Sequence, residues 1–93
     1  MDNALVPVVD ANMARLTITY NGQQGDLPDA VPYDMTDADL KQVATECVHN
    51  GDIPGIDADN DANFVDFVVD RFPARDDVRF NRLSLRPKTP FGV

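Results

Sequence analysis

The stretch MTDADLKQVATECVHNG, residues 35–51, decides the fold because it carries the signals of one capped amphipathic helix. Thr36 has the side chain of an N-cap, and Asp39 stands at the third helical position, where a carboxylate completes a shortened capping box. One apolar stripe recurs at helical spacing and consists of Leu40, Val43, Ala44, Cys47 and Val48. Gly51 is typical of a left-handed C-cap. The sequence therefore predicts one helix that ends at Asn50.

The chain before this helix predicts a strand and a tight turn. Residues 15–20 alternate: Leu16, Ile18 and Tyr20 share one face, and Arg15, Thr17 and Thr19 share the other. Asn21 and Gly22 follow at once, and both residues tolerate the positive φ of a hairpin turn. Residues 30–33 predict a short edge strand, because the nearby prolines exclude a central position in a sheet.

The chain after the helix predicts two further strands. Residues 64–72 fit either a helix or a strand, and the strand is favoured because a sheet needs several partners. Residues 78–86 have a strand composition, but the parity of their apolar positions changes, which indicates a bulge or bend near Asn81. A helix at 64–72 would instead give an α+β domain with two helices.

This order of elements resembles a β-grasp domain. Residues 16–22 followed by residues 35–43 resemble the opening of ubiquitin-like proteins, in which an alternating strand and a turn precede a capped helix. Residues 82–86 and the tail that follows them resemble the last strand and tail of that superfamily. The resemblance is strongest to small bacterial ubiquitin-like proteins whose genes lie beside activating-enzyme-like partners.

The resemblance implies an α+β, β-grasp fold with one main helix packed on a mixed sheet. The domain is expected over residues 15–86, after a flexible leader at 1–14 and before an extended tail at 87–93. The expected function is that of a non-enzymatic protein-interaction module that binds another protein, such as an activating-enzyme-like partner. The expected partner-binding residues are Arg79, Arg82, Arg86, Lys88, Phe91 and Gly92. Conjugation through Gly92 would require removal of Val93.

The charge distribution offers a second functional hypothesis. Residues 1–70 carry 14 carboxylates against two basic side chains, a net of −12, whereas residues 71–93 carry a net of +4. The overall charge of −8 argues against direct nucleic-acid binding, which requires excess positive charge. An acidic inhibitor that mimics nucleic acid, of the kind carried by phages or plasmids, is the alternative function.

A third hypothesis is weak calcium binding by Asp57, Asp59, Asp61 and Asn63, whose spacing matches the first ligands of an EF-hand loop. Ala62 stands where that loop needs glycine and Val68 where it needs a bidentate glutamate, so a solvated turn is the favoured interpretation. No cofactor is expected. Cys47 and His49 lie two apart on the helix and face different directions, which argues against a catalytic pair.

The compartment is expected to be the cytoplasm. A lone cysteine cannot form an intramolecular disulfide, and the first residues lack the pattern of a signal peptide. No apolar run approaches the roughly 20 residues of a membrane span, so no membrane partner is expected.

Overall fold

Residues 12–88 are described in a computed structural model, and they form five strands and one α-helix. The elements are β1 (Met13–Tyr20), β2 (Gln23–Asp26), β3 (Val31–Pro32), α1 (Asp37–Asn50), β4 (Val68–Phe72) and β5 (Asn81–Arg86). The predicted α+β class with one helix on a mixed sheet is confirmed, and this arrangement is compatible with a β-grasp.

The sheet is mixed, with the strand order β2-β1-β5-β4. Strand β1 runs parallel to β5, whereas β2 pairs with the second half of β1 and β4 pairs with β5, both antiparallel. Strand β3 pairs with the beginning of β1. The first and last strands therefore lie side by side at the centre, although 60 residues separate Tyr20 from Asn81.

The core lies between the central strands and the helix. Ala14, Leu16 and Ile18 of β1, Leu83 and Leu85 of β5, and Leu40, Ala44 and Val48 of α1 are fully buried or nearly so. Burying each large aliphatic side chain contributes about 1.5–3 kcal/mol. The buried positions recur every two residues in the strands and about every 3.6 residues in the helix. They therefore identify the face of each element that packs in the core.

Both predicted helix caps are confirmed. The Thr36 hydroxyl accepts a hydrogen bond from the Asp39 backbone N–H at 3.1 Å. At the other end, Gly51 has a φ of 72° and donates its N–H to the Val48 carbonyl, and Asp52 donates to the Cys47 carbonyl. This pair of bonds is a Schellman motif, which satisfies carbonyls that the helix leaves without partners.

Removal of the N-cap hydroxyl should destabilise the domain measurably. We expect Thr36→Ala to lower the free energy of unfolding by about 1 kcal/mol, because the Asp39 N–H loses its acceptor. Thr36→Ser keeps an acceptor and should lose much less. Urea denaturation of the three proteins checks this, and equal losses for alanine and serine would show that the hydroxyl is not the stabilising group.

The strand predicted at 64–72 forms only from Val68 onward. The Asn63 side chain accepts the Val65 N–H at 2.9 Å, and the Phe67 N–H bonds to the Phe64 carbonyl at 2.9 Å. These bonds hold residues 63–67 in turns and bury Phe64 below the sheet. A strand and a turn that buries an aromatic residue can share the same apolar and aromatic composition. The composition of this segment therefore does not reveal that β4 begins at Val68.

Two other predicted boundaries also shift. Met13 and Ala14, which the sequence assigned to the leader, belong to β1, and Ala14 is fully buried. The last strand begins at Asn81 and not at Val78, after a bend at Phe80, so the expected change of parity occurs outside the strand. The Asn81 side chain accepts the Ala74 N–H and donates to the Met13 carbonyl, which joins β1 to the turn before β5.

Candidate functional site

The outer face of the sheet, opposite the helix, carries a row of arginine and phenylalanine side chains. Because paired residues point to the same side of a sheet, the register places Arg15 of β1 beside Arg82 of β5. It also places Arg82 beside Phe72 of β4. These three residues therefore form one line across three strands.

Each guanidinium in this line rests on an aromatic ring. The Arg15 Cζ atom lies 4.7 Å from the centroid of the Phe80 ring, and the Arg82 Cζ atom lies 5.1 Å from that of Phe72. Both distances are within the range of a cation–π interaction. We call Arg15, Arg82, Phe72 and Phe80 the arginine–phenylalanine row. Phe72 remains 42% exposed, which is unusual for so large an apolar side chain.

Among the arginines of the described residues, Arg15 and Arg82 of the row form no ion pair with a carboxylate, as is also true of Arg79. Within residues 12–88, ion pairs join Arg71 to Asp37, Arg75 to Asp77 and Arg86 to Asp70. Neither Arg15 nor Arg82 takes part in such a pair. Like charges directly opposite each other weaken a sheet. The row therefore places two positive charges on an exposed face, and no carboxylate of residues 12–88 forms an ion pair with either of them.

A hollow of about 390 Å³ adjoins the row and is lined by Phe72, Pro73, Arg75 and Arg82. Its walls combine apolar rings with guanidinium groups. Such a surface can contact an apolar side chain and an anionic one at the same time.

The predicted partner-binding residues do not all lie on this face. Arg82 and Arg86 are on the outer side of β5, but the Arg86 Nε donates to Asp70 at 2.5 Å and is partly neutralised. Arg79 and Lys88 are exposed in the segments that flank β5. Phe91 and Gly92 lie outside the described residues.

Sequence reasoning missed the contribution of Arg15 and the two phenylalanines. Arg15 was placed on the polar face of its strand, but the parallel pairing with β5 is a long-range contact without a local signal. Phe72 was assigned to an ambiguous apolar segment. Polar residues alternate in both segments, at positions 15, 17 and 19 and at positions 82, 84 and 86. This alternation would place the two sets on one face only if the strands were already known to be neighbours.

The structure does not assemble the hypothetical calcium site. Asp59 accepts hydrogen bonds from the Tyr20 hydroxyl at 2.6 Å and from the Asp61 N–H at 2.8 Å. Asp57 exchanges two hydrogen bonds with the Gln23 side chain, and Asn63 caps the following turn. No group of three or more acidic, histidine or cysteine side chains in the described part of the chain is arranged to hold a metal ion.

The Tyr20–Asp59 hydrogen bond makes stability depend on pH. The hydroxyl of Tyr20, followed by the Asp61 N–H, lowers the pKa of Asp59, and acceptance by Asp59 raises the pKa of Tyr20. The pKa of Asp59 is lower in the folded state than in the unfolded state. The stabilisation of the fold by the Asp59 carboxylate is therefore fully present above the pKa of the unfolded state. That stabilisation is lost as the pH falls through the folded value.

We therefore expect Tyr20→Phe to flatten the acid side of the stability profile. Between about pH 6 and about pH 3, wild type should lose more stability than the variant, because only wild type loses this hydrogen bond to a carboxylate. Urea unfolding at a series of pH values measures this difference. Parallel profiles for the two proteins would contradict it.

No hydrogen bond joins the Cys47 and His49 side chains of α1 in the described part of the chain. Burial raises the pKa of the Cys47 thiol, so the thiol stays protonated at neutral pH. The His49 Nε2 lies 3.2 Å from the Ala62 carbonyl oxygen, which is a contact between α1 and the loop that joins it to β4.

A second hollow, of about 420 Å³, lies between α1 and residues 63–65. Val65 lines it and is 69% exposed. Its only cationic lining group is Lys41, whose Nζ donates to the Val65 carbonyl at 3.1 Å. The outer face of the sheet is the stronger candidate because the guanidinium groups of Arg15 and Arg82 form no ion pair within residues 12–88.

Comparison of the chain with protein-family models, with curated proteins and with solved structures gave no match. No helix among residues 12–88 has the length and apolar content that a membrane crossing requires.

Proposed function

We propose that this chain is a non-enzymatic protein-interaction module of the ubiquitin-like, β-grasp type, and that it binds its partner through the outer face of the sheet. The arginine–phenylalanine row is the observation that carries this proposal. The parallel pairing of β1 with β5, with one helix across the opposite face, supports the β-grasp assignment.

The chemistry of the row favours a protein partner. Arginine and aromatic side chains are enriched at the energetic centres of protein interfaces, where a planar, weakly hydrated cation and a large ring both contribute contact area. Phe72 and Arg82 are adjacent on neighbouring strands and both border the hollow. Burial of this patch by a partner would remove exposed apolar area and would provide acceptors for the guanidinium groups.

The tail adds a second element to the proposed function. Strand β5 ends at Arg86, and the next two residues, Pro87 and Lys88, are exposed, so the chain leaves the sheet on its surface. We include in the proposal that Gly92 is conjugated by an activating-enzyme-like partner after Val93 is removed. Intact mass measurement of protein from its native host tests this. A chain that ends at Gly92 and is linked to another protein supports conjugation, and a full-length unlinked chain contradicts it.

Site-specific photo-cross-linking tests the proposed binding face. A photoreactive phenylalanine replaces Phe72 in one protein and Gln42, an exposed residue of α1, in a matched control. After irradiation in cells of the native host, we expect a discrete adduct with another protein from position 72 and none from position 42. Equal adducts from both positions, or an adduct from position 42 alone, would contradict the assignment of the face.

A further inference from the structure

We propose that the partner presents an acidic peptide segment whose carboxylates bind Arg15 and Arg82 of the row. This inference rests on the proposed function and specifies the chemistry of the partner. The segment carries aspartate or glutamate side chains next to an apolar residue.

The charge balance is the first argument for this ligand. The chain has twice as many carboxylates as basic side chains, yet within residues 12–88 none of them pairs with Arg15 or Arg82. By contrast, Arg71 is fully engaged, because it donates to the Tyr33 and Met35 carbonyls and to Asp37. Two guanidinium groups on neighbouring strands that pair with no carboxylate of residues 12–88 favour an external anion.

The geometry is the second argument. Each guanidinium lies over a ring, which holds it in place and leaves its N–H edge free to donate. A carboxylate can accept two parallel N–H bonds from such an edge. Arg15 and Arg82 occupy paired positions on neighbouring strands, whose backbones are about 4.8 Å apart, so one segment of a partner can contact both side chains.

A polypeptide fits the surroundings better than a nucleic acid. The rings of Phe72 and Phe80 each have one face covered by a guanidinium, which leaves less aromatic surface on which bases could stack. The net charge of −8 also repels a long polyanion. The hollow beside Arg82 contains Phe72 and Pro73, which provide apolar contact for a side chain next to the acidic residues.

Nuclear magnetic resonance with a matched pair of peptides tests this inference. One synthetic peptide carries glutamates on both sides of a leucine, and its control carries glutamines at the same positions. We expect the acidic peptide alone to shift the Arg15 and Arg82 side-chain N–H signals and the Phe72 ring signals, in a saturable manner. Its affinity should fall as salt is added, because an exposed charge interaction is screened.

Three variants separate binding from folding. Arg82→Ala should weaken the acidic peptide by roughly tenfold or more, because a charge-assisted bond is lost. Arg82→Lys keeps the positive charge but loses the planar donor, and it should fall between alanine and wild type. Lys41→Ala, on the other side of the domain, should bind as wild type does. An unchanged amide spectrum outside the row would show that each variant is folded.

The remaining outcomes distinguish the inference from the proposed function. Equal binding of the two peptides would overturn the inference, as would tighter binding of an oligodeoxythymidylate. Shifts of the same size with inorganic phosphate alone would also overturn it. If a cellular partner is captured at position 72 but the acidic peptide does not compete with it, the inference fails and the proposed function remains. If no partner is captured at position 72, the proposed function itself fails.

Discussion

Phe64→Ala should lower the free energy of unfolding by about 3–5 kcal/mol. Phe64 is 1% exposed and is the largest fully buried side chain among residues 12–88. Its ring centroid lies 5.2 Å from that of Tyr20 and 4.7 Å from that of Phe67. Truncation to alanine loses the free energy gained by burying the ring. It also leaves a cavity that the surrounding side chains fill only in part, and both effects reduce stability.

The neighbouring residue provides the control for this prediction. Val65 follows Phe64 directly and is largely exposed, so Val65→Ala should change stability by less than about 0.5 kcal/mol. Phe64→Leu fills more of the space and should lose less than Phe64→Ala. Urea denaturation at neutral pH gives all three values. Equal losses for Phe64→Ala and Val65→Ala would show that the ring does not anchor this part of the core.

Gly25→Ala should destabilise the domain by about 3 kcal/mol, because two backbone segments touch at this glycine. A Cβ atom at Gly25 would lie 2.1 Å from the Pro54 carbonyl oxygen and 2.8 Å from the Ile53 Cγ2 atom. The reverse contact is also close, since a Cβ at Gly55 would lie 2.6 Å from the Gln24 carbonyl oxygen. Strand β2 and the loop after α1 therefore pack without room for a side chain.

A different glycine separates this steric effect from backbone preference. Gly22 has a φ of 77°, but a Cβ there would meet no atom within 4 Å. Gly22→Ala should therefore incur only the cost of a left-handed residue, about 1 kcal/mol. Thermal unfolding of both variants measures the difference. A larger loss for Gly22→Ala than for Gly25→Ala would contradict the close packing of β2 on residues 53–55.

Local signals in the sequence were sufficient for the helix and for the first strand. The helix has both caps and one apolar stripe, and each cap depends on residues no more than five apart. The predicted strand at 15–20 is confirmed within β1, which begins two residues earlier, at Met13. Met13 and Ala14 are too short a stretch to show an alternation by themselves, so their place in the strand follows only from their pairing with β3 and Asn81.

The candidate site was less predictable than the fold because it depends on pairings between distant residues. Arg82 was predicted from the basic character of the last strand. Its neighbours Arg15 and Phe72 come from two other strands, and only the sheet register brings the three together. In the hypothetical calcium loop, a local pattern suggests a site that long-range contacts prevent. The acidic residues have the spacing of calcium ligands, but the side chains of Asp57 and Asp59 bond to Gln23 and Tyr20.

The most direct test of the proposed function compares two charge reversals against the purified partner captured through position 72. Arg82→Glu reverses a charge on the outer face, and Lys41→Glu reverses one on α1. Isothermal titration calorimetry should show that Arg82→Glu weakens the partner by roughly a hundredfold or more, as expected for a desolvated charge at an interface, and that Lys41→Glu leaves its affinity unchanged. Equal affinities for the two variants, or a loss with Lys41→Glu alone, would contradict binding through the outer face of the sheet.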